Sequence, residues 1–334
     1  LRGGDLIVAN DAATLPASLH GVHLPTNATI EVRLATRHSL DAADVLHWTA
    51  VVFGAGDWRT RTEDRPTPPA LAAGDRLALG PLDATIVRTL DHPRLVSLRF
   101  DATPSAFWKA IAHHGRPIQY AHLAVDLVPW DVQTPIAGPP AAVEPPSAGF
   151  AIDWRTLGRL RERGMGFAAL THAAGLSSTG DPLLDARFPL DEPYAIPLST
   201  ARAIERTRAA QGRVIAIGTT VVRALEHCAT RHGRVVAGAG VADNRITNGT
   251  PLRIVDALLT GTHEAGSSHF ELLRAFADDA TLARATSTLH AGEDRTHEFG
   301  DSMLVVRAKI HANPFVARAS AGFGGSYDCA TVVG

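Results

Sequence analysis

The chain has 334 residues, 45% apolar and 20% charged, with a net charge of −2 and a pI of about 6.8. That length allows two domains and a large core in an ordinary globular protein, and the charge balance excludes a global field that attracts nucleic acid. No apolar run approaches a membrane span, the first residues are no signal peptide, and two cysteines, Cys228 and Cys329, form no disulfide framework, which fits a reducing cytoplasm.

Only Lys109 and Lys309 are lysines among the 32 basic residues, a bias that reads as genomic rather than functional. The chain starts at Leu1, already at the edge of a strand, which points to residues missing ahead of it. Asp5 to Ala9 reads as that strand, Asn10-Asp11 as the turn ending it, and Leu15 to Leu19 as a second short strand. From about residue 21 the pattern changes. Thr29–Ala35, Trp48–Phe53, Arg76–Leu79, Ala84–Leu90 and Leu95–Phe100 are short β-branched or alternating runs separated by Gly, Pro and Asp, the pattern of a small barrel or sandwich. Ser105 to His113 reads as a helix, and the module closes near His122.

Residues 127–146, rich in Pro and Gly, are expected to be a linker or an active-site loop. Asp153 caps a helix reaching Gly164, Phe167–Thr171 is a strand, and Thr200–Gln211 is a helix. Further on come a strand at Val235, an apolar segment Leu252–Leu259, helices over Ser267–Phe276 and Ala280–Leu289, and a last strand Met303–Val306. Strands alternating with helices argue for a layered α/β domain.

The most informative stretch is Gly212 to Cys228, a buried strand, a Gly218 turn and a helix opening at Thr219-Thr220. Such a turn gathers unpaired amides and hydroxyls that suit an anionic or polar ligand group, although capping alone requires the same residues. Arg223 and Glu226, three apart on that helix, fit either a surface ion pair or an arginine aimed at a carboxylate. Asp256 lies among apolar neighbours and needs a partner if buried. His263 with His269, and Cys228 with His232, have spacings a metal could use, but no further ligands gather near them, so no metal is expected. Arg155, Arg159 and Arg163 form a stripe that fits a solvated helix face better than a phosphate contact, and Trp108, Trp130 and Trp154 fit core packing or a domain seam better than base stacking.

Several ordered blocks resemble the S-adenosylmethionine:tRNA ribosyltransferase-isomerases of queuosine biosynthesis. Gly4 to Asp11 is similar to that family's GDLLVLND, Leu15-Pro16-Ala17 to its IPA, and Pro146 to Gly149 to its PTAG. Gly212 to Glu226 resembles GRVIAVGTTSVRTLE, Ile254 to Thr260 resembles VVDGLLT with His263 and Ser267 kept, and Phe299 to Leu304 resembles YGDAML. The family's residues ahead of GDLLV are absent. The chain also departs from the pattern: Ala13 and Ser18 stand where the family has arginines, Ala151 where it has histidine, and Gly266 where it has lysine.

The resemblance implies a three-layer α/β domain with an inserted small antiparallel β-barrel. The expected divisions are 1–20 with 126–311 for the α/β domain, 21–125 for the barrel, and 312–334 for a C-terminal extension. It implies an enzyme that takes S-adenosylmethionine as substrate, without a metal, and moves its ribosyl part onto a 7-aminomethyl-7-deazaguanine in tRNA. Adenine and methionine leave, and the sugar is isomerised to an epoxycyclopentanediol. Gly218, Thr219, Thr220, Arg223, Ser147 and Gly149 are then expected to hold S-adenosylmethionine, and Asn10, Asp11 and Ser267 the acceptor. His263, Asp301 and Asp256 are expected to move protons, beginning at the carbon beside the sulfonium. The departures favour two competing readings, a paralogue using or cleaving S-adenosylmethionine with another acceptor, or a non-catalytic nucleoside- or RNA-binding protein. The oligomeric state stays open.

Overall fold

A computed structural model of the chain describes residues 1–123, 125–263, 266–291, 301–307 and 316–319. Strand β1 (Leu6–Asn10) is buried along its whole length, as expected of an apolar run with neighbours on both sides. Strand β2 (Ala13–Thr14) follows, and Pro16, which has no N–H for a ladder, separates it from β3 (Ser18–His23). Of the strand expected over Leu15–Leu19, only Ser18 and Leu19 are in a strand, at the start of β3, and Leu15 to Ala17 lie between β2 and β3.

Strand β3 opens a closed antiparallel barrel completed by β4 (Ala28–Thr36), β5 (His47–Phe53), β6 (Arg76–Leu79), β7 (Leu82–Thr89) and β8 (Leu95–Phe100). The order around it is β3-β4-β5-β8-β7-β6. The barrel begins at Ser18, ahead of the boundary expected at residue 21. Alternation puts Ile30, Val32 and Leu34 on one face of β4, in the apolar core. Glu31 and Arg33 on the other face are buried too, and Glu31 binds both Arg33 (2.7 Å) and Arg65. Helix α1 (Pro104–His114), capped by Thr103, packs Phe107 against Trp48 and Phe100.

The chain returns through β9 (Pro140–Ala142), which pairs with β2 in parallel. Then come α2 (Trp154–Glu162), capped by Asp153, β10 (Gly166–His172), α3 (Pro182–Asp185), β11 (Glu192–Ile196), α4 (Leu198–Ala209) and β12 (Val214–Ile217). After these lie α5 (Thr219–His232), β13 (Gly238–Ala242), β14 (Ala257–Gly261), α6 (Ser268–Leu273), α7 (Asp279–Ala291), β15 (Ser302–Val306) and β16 (Val316–Ala319). The strand expected at Val235 starts later, at Gly238, because the Val236 N–H donates to Cys228 Sγ (3.3 Å) and ties that stretch to α5. Of the extension expected over 312–334, only Val316–Ala319 is described, as a strand on the edge of β15; the remainder lies outside the described residues.

The main sheet runs β13-β11-β10-β1-β12-β14-β15-β16, with β10, β1, β12 and β14 mutually parallel. Its period of two divides the apolar side chains between two faces. Leu6, Val8, Val214 and Ala216 pack with α4 and α5 residues such as Ile204, Val221 and Leu225. Ile7, Ala9, Ile215 and Ile217 pack on the other side with Ile152, and with Leu157 and Leu160 of α2. The result is helix, sheet, helix: three layers, with the barrel inserted between β2 and β9.

Candidate active site

A cavity of about 750 Å³ opens at the carboxyl ends of β12 and β14, where the loops of a parallel sheet converge and α/β proteins bind ligands. One wall is Gly218-Thr219-Thr220, another is Thr260 to His263 with Ser267 and His269. A third is the 144–148 segment with the loop after β10. Tyr120 and His122, on the chain leaving the barrel, close the side toward that domain.

Gly218 has φ +88° and ψ 153°, a conformation only glycine adopts without strain. It, and not a threonine, caps α5. No side chain caps this helix, so Thr219 and Thr220 are its first two residues and their amides face the cavity end. The Gly218 N–H donates to Leu259 O at 2.8 Å, which locks the turn to β14.

Asn10 does not reach the cavity. Its Nδ2 donates to His172 O (2.9 Å) and to Thr220 Oγ1 (3.3 Å), and its Oδ1 accepts from the amides of Ala12 and His172. A strand-ending asparagine has here become the brace that orients Thr220. Asp11 is likewise engaged, accepting from Thr171 Oγ1 at 2.7 Å, and does not line the cavity. Asn10 and Asp11, expected to hold the acceptor, therefore lie outside the cavity lining, with Asn10 and Asp11 Oδ1 engaged by neighbouring groups.

Arg223 borders the cavity, but it is neither a surface residue nor a free cation. It is 5% exposed, pairs with Glu192, and donates to the carbonyls of Leu190 (3.2 Å), Ala242 (2.8 Å) and Asn244 (3.3 Å). Burial pushes the Glu192 carboxyl upward while Arg223 pulls it down. Glu226 is also buried and does not meet Arg223. It accepts the amides of Arg253, Ile254 and Val255 at 2.6, 2.9 and 2.8 Å. The surface ion pair read for Arg223 and Glu226 therefore gives way to two separate buried anchors, with four of the five guanidinium N–H groups of Arg223 engaged inside the protein.

His263 lies in the cavity wall with Nε2 2.8 Å from Thr260 Oγ1, and its ring stacks on His269 at 4.9 Å. Burial, reinforced by His269, pushes His263 well below the ordinary imidazole range, and burial with nearby Arg223 pushes His269 down to about 4. Both rings are neutral near pH 7. Ser267 caps α6, its Oγ accepting from Phe270 N (3.1 Å) beside the cavity. Ser147 lines the cavity, while Gly149 does not. A Cβ at Gly149 would meet Thr134 Cγ2 at 2.9 Å, so this glycine serves close packing. Asp301 precedes Ser302, the partner of Gly261 at the cavity end of β14, but it is not part of the cavity lining.

Asp256 does not line the cavity. Its Oδ2 accepts from Val214 N (2.9 Å) at the start of β12, the opposite end of that strand from Gly218. At ~3.3 Å per residue, four strand residues put it roughly 13 Å from the turn. Among the described residues no three His, Cys, Asp or Glu side chains gather in a metal-binding group.

Two acids in the wall, Glu144 and Glu192, were not among the expected site residues. Glu144 follows the apolar run Ala141-Ala142-Val143, and an acid continuing a buried apolar run is the signal that was available. Elsewhere, Trp130 and Trp154 are 77% and 72% exposed, against the expectation of core packing or a domain seam; Trp154 opens α2, a helix with no buried residue. No residue of α2 is buried, so Arg155 and Arg159 do lie on a solvated face.

The family described as queuosine biosynthesis protein matches residues 1–305. The S-adenosylmethionine:tRNA ribosyltransferase-isomerase of Methylobacterium sp. (strain 4-46) is 33% identical over 325 residues, covering 92% of this chain and 86% of that protein. The protein of the same name from Azoarcus sp. (strain BH72) is 33% identical over 315 residues, covering 92% and 84%. A solved structure of the S-adenosylmethionine tRNA ribosyltransferase from Thermotoga maritima aligns at 23% identity with a TM-score of 0.44, covering 91% of this chain and 83% of that one. No helix among the described residues is long and apolar enough to cross a membrane. The chain belongs to the queuosine biosynthesis protein family.

Proposed function

We propose that this protein is a cytoplasmic S-adenosylmethionine:tRNA ribosyltransferase-isomerase that works in the cavity at the ends of β12 and β14. The observation that carries this reading is the uncapped first turn of α5 at Gly218-Thr219-Thr220, set opposite the neutral His263 in one cavity. The amides of that turn and the Thr219 and Thr220 hydroxyls take the polar groups of S-adenosylmethionine, favoured by the positive end of a 14-residue helix. Ser147 and Ser267 supply further hydroxyls at the rim. His263 accepts the proton from the carbon beside the sulfonium, because an uncharged imidazole has a lone pair available throughout the neutral range. The tRNA deazaguanine enters unstacked, as bases do in enzymes that modify them.

Calorimetry with S-adenosylmethionine, followed by mass spectrometry of adenine release with and without deazaguanine-containing tRNA, tests the reading. Binding together with tRNA-dependent adenine release supports it; no heat with S-adenosylmethionine or its analogues sinks it. A second reading, in which another acceptor is used, is favoured by Ser18. Where the family pattern has an arginine, Ser18 is buried and donates to Glu31 Oε1 at 2.7 Å. Adenine release that never depends on tRNA would select this second reading.

A further inference from the structure

Glu144 sits in the cavity wall with 6% of its surface exposed, on the segment that also carries Ser147. Its Oε1 accepts from the Tyr120 hydroxyl and from the Ser177 amide (3.1 Å), so both bonds converge on one oxygen. Glu31 pairs with Arg33 and Arg65, and Arg223 pairs with Glu192, while Arg33 acts on Glu144 only through its charge. A carboxyl that faces a ligand cavity, has no ion-pair partner among the described residues and is held in place by two donors has the arrangement of a general acid.

We infer that Glu144 is the proton donor to the departing adenine, an inference that rests on the S-adenosylmethionine reading above. As the C1′–N9 bond breaks, its electron pair leaves with adenine and a ring nitrogen of adenine takes the Glu144 proton. The ring oxygen's lone pair meets the electron demand at C1′ until the acceptor amine adds there. The carboxylate left behind keeps its bonds from Tyr120 and Ser177 and feels the charge of Arg33. Burial raises the Glu144 carboxyl above its ordinary range, so the protonated form extends toward neutral pH. The hydrogen bonds from Ser177 and Tyr120 oppose that rise.

The test is single-turnover adenine release across pH for wild type, Glu144→Gln and Tyr120→Phe, with S-adenosylmethionine affinity measured on each protein. Glutamine keeps both incoming hydrogen bonds but has no acidic proton. The expected result is affinity within about twofold of wild type, release slowed at least ~100-fold, and loss of the alkaline limb of the profile. Tyr120→Phe removes a bond that favours the carboxylate, so its alkaline limb moves to higher pH; it also carries the test if Glu144→Gln does not fold. Glu144→Gln releasing adenine at the wild-type rate, or an alkaline limb that neither variant moves, overturns the inference while leaving S-adenosylmethionine binding intact. A wild type that binds no S-adenosylmethionine overturns the inference and the underlying reading together.

Discussion

Arg223, one turn inside α5, and Glu192, at the start of β11, form a buried pair in the cavity wall, with three backbone carbonyls taking further guanidinium donors. Removing one member of such a pair leaves an uncompensated charge in the interior, at a cost of about 3–5 kcal/mol. Arg223→Ala is therefore expected to lower the unfolding free energy by that amount in urea titrations. If stability is unchanged and only S-adenosylmethionine affinity falls, Arg223 contacts the ligand directly and the pairing is not what matters.

Gly218→Ala separates strain from space. An added Cβ would lie 3.6 Å from Ala148 Cβ, an ordinary contact, so the cost comes from φ +88° and amounts to about 1–3 kcal/mol. Relief of that strain rotates the first turn of α5 away from the cavity. Denaturant melts should show the stability loss, and calorimetry a drop of at least ~10-fold in S-adenosylmethionine affinity, since each 1.4 kcal/mol is tenfold.

Glu226 caps the Arg253–Val255 turn through three amides. Bonds to a charged acceptor are worth about 1.5–3 kcal/mol each, and the three are not additive. Glu226→Ala is expected to cost about 3 kcal/mol or more, and hydrogen exchange at the Ile254 and Val255 amides should accelerate by at least ~100-fold. Unchanged exchange at those amides would remove the capping role.

His269 gives a pH dependence whose sign is fixed. The folded chain holds it near 4, and the unfolded chain near about 6.5. Between those values the unfolded state binds the extra proton, so stability falls as pH drops from about 6.5 toward 4; above 6.5 this group has no effect. The wild-type stability loss over that window should exceed that of His269→Gln in urea titrations at successive pH values. Parallel curves for the two proteins would show that His269 is not the group responsible.

Asp256→Asn tests the end of β12 away from the cavity. The Val214 amide still finds an acceptor in the asparagine, and the cavity is roughly 13 Å away by strand rise. S-adenosylmethionine affinity and adenine release should stay within about twofold of wild type, and a loss beyond ~100-fold would return Asp256 to the catalytic set.

Sequence alone determined the elements whose signals are local. The period of two in β1 and β12 divides Leu6 and Val8 from Ile7 and Ala9, and so specifies a sheet covered on both faces. Asp153 and Ser267 cap helices where their residue type predicts. The Gly218 turn was legible because its glycine, its short β-branched strand and its helix lie within one continuous stretch. The partners of buried polar groups were not legible, because each lies far away in the chain. Arg223 finds Glu192 31 residues away, Glu226 finds Ile254 28 away, and Asn10 finds Thr220 210 away. A charged or amide side chain carries no local sign of whether it will face a ligand or a neighbouring strand. Only the folded chain, where desolvation demands a partner for each buried group, decided that Asn10 and Arg223 brace the cavity and that Glu144 faces it.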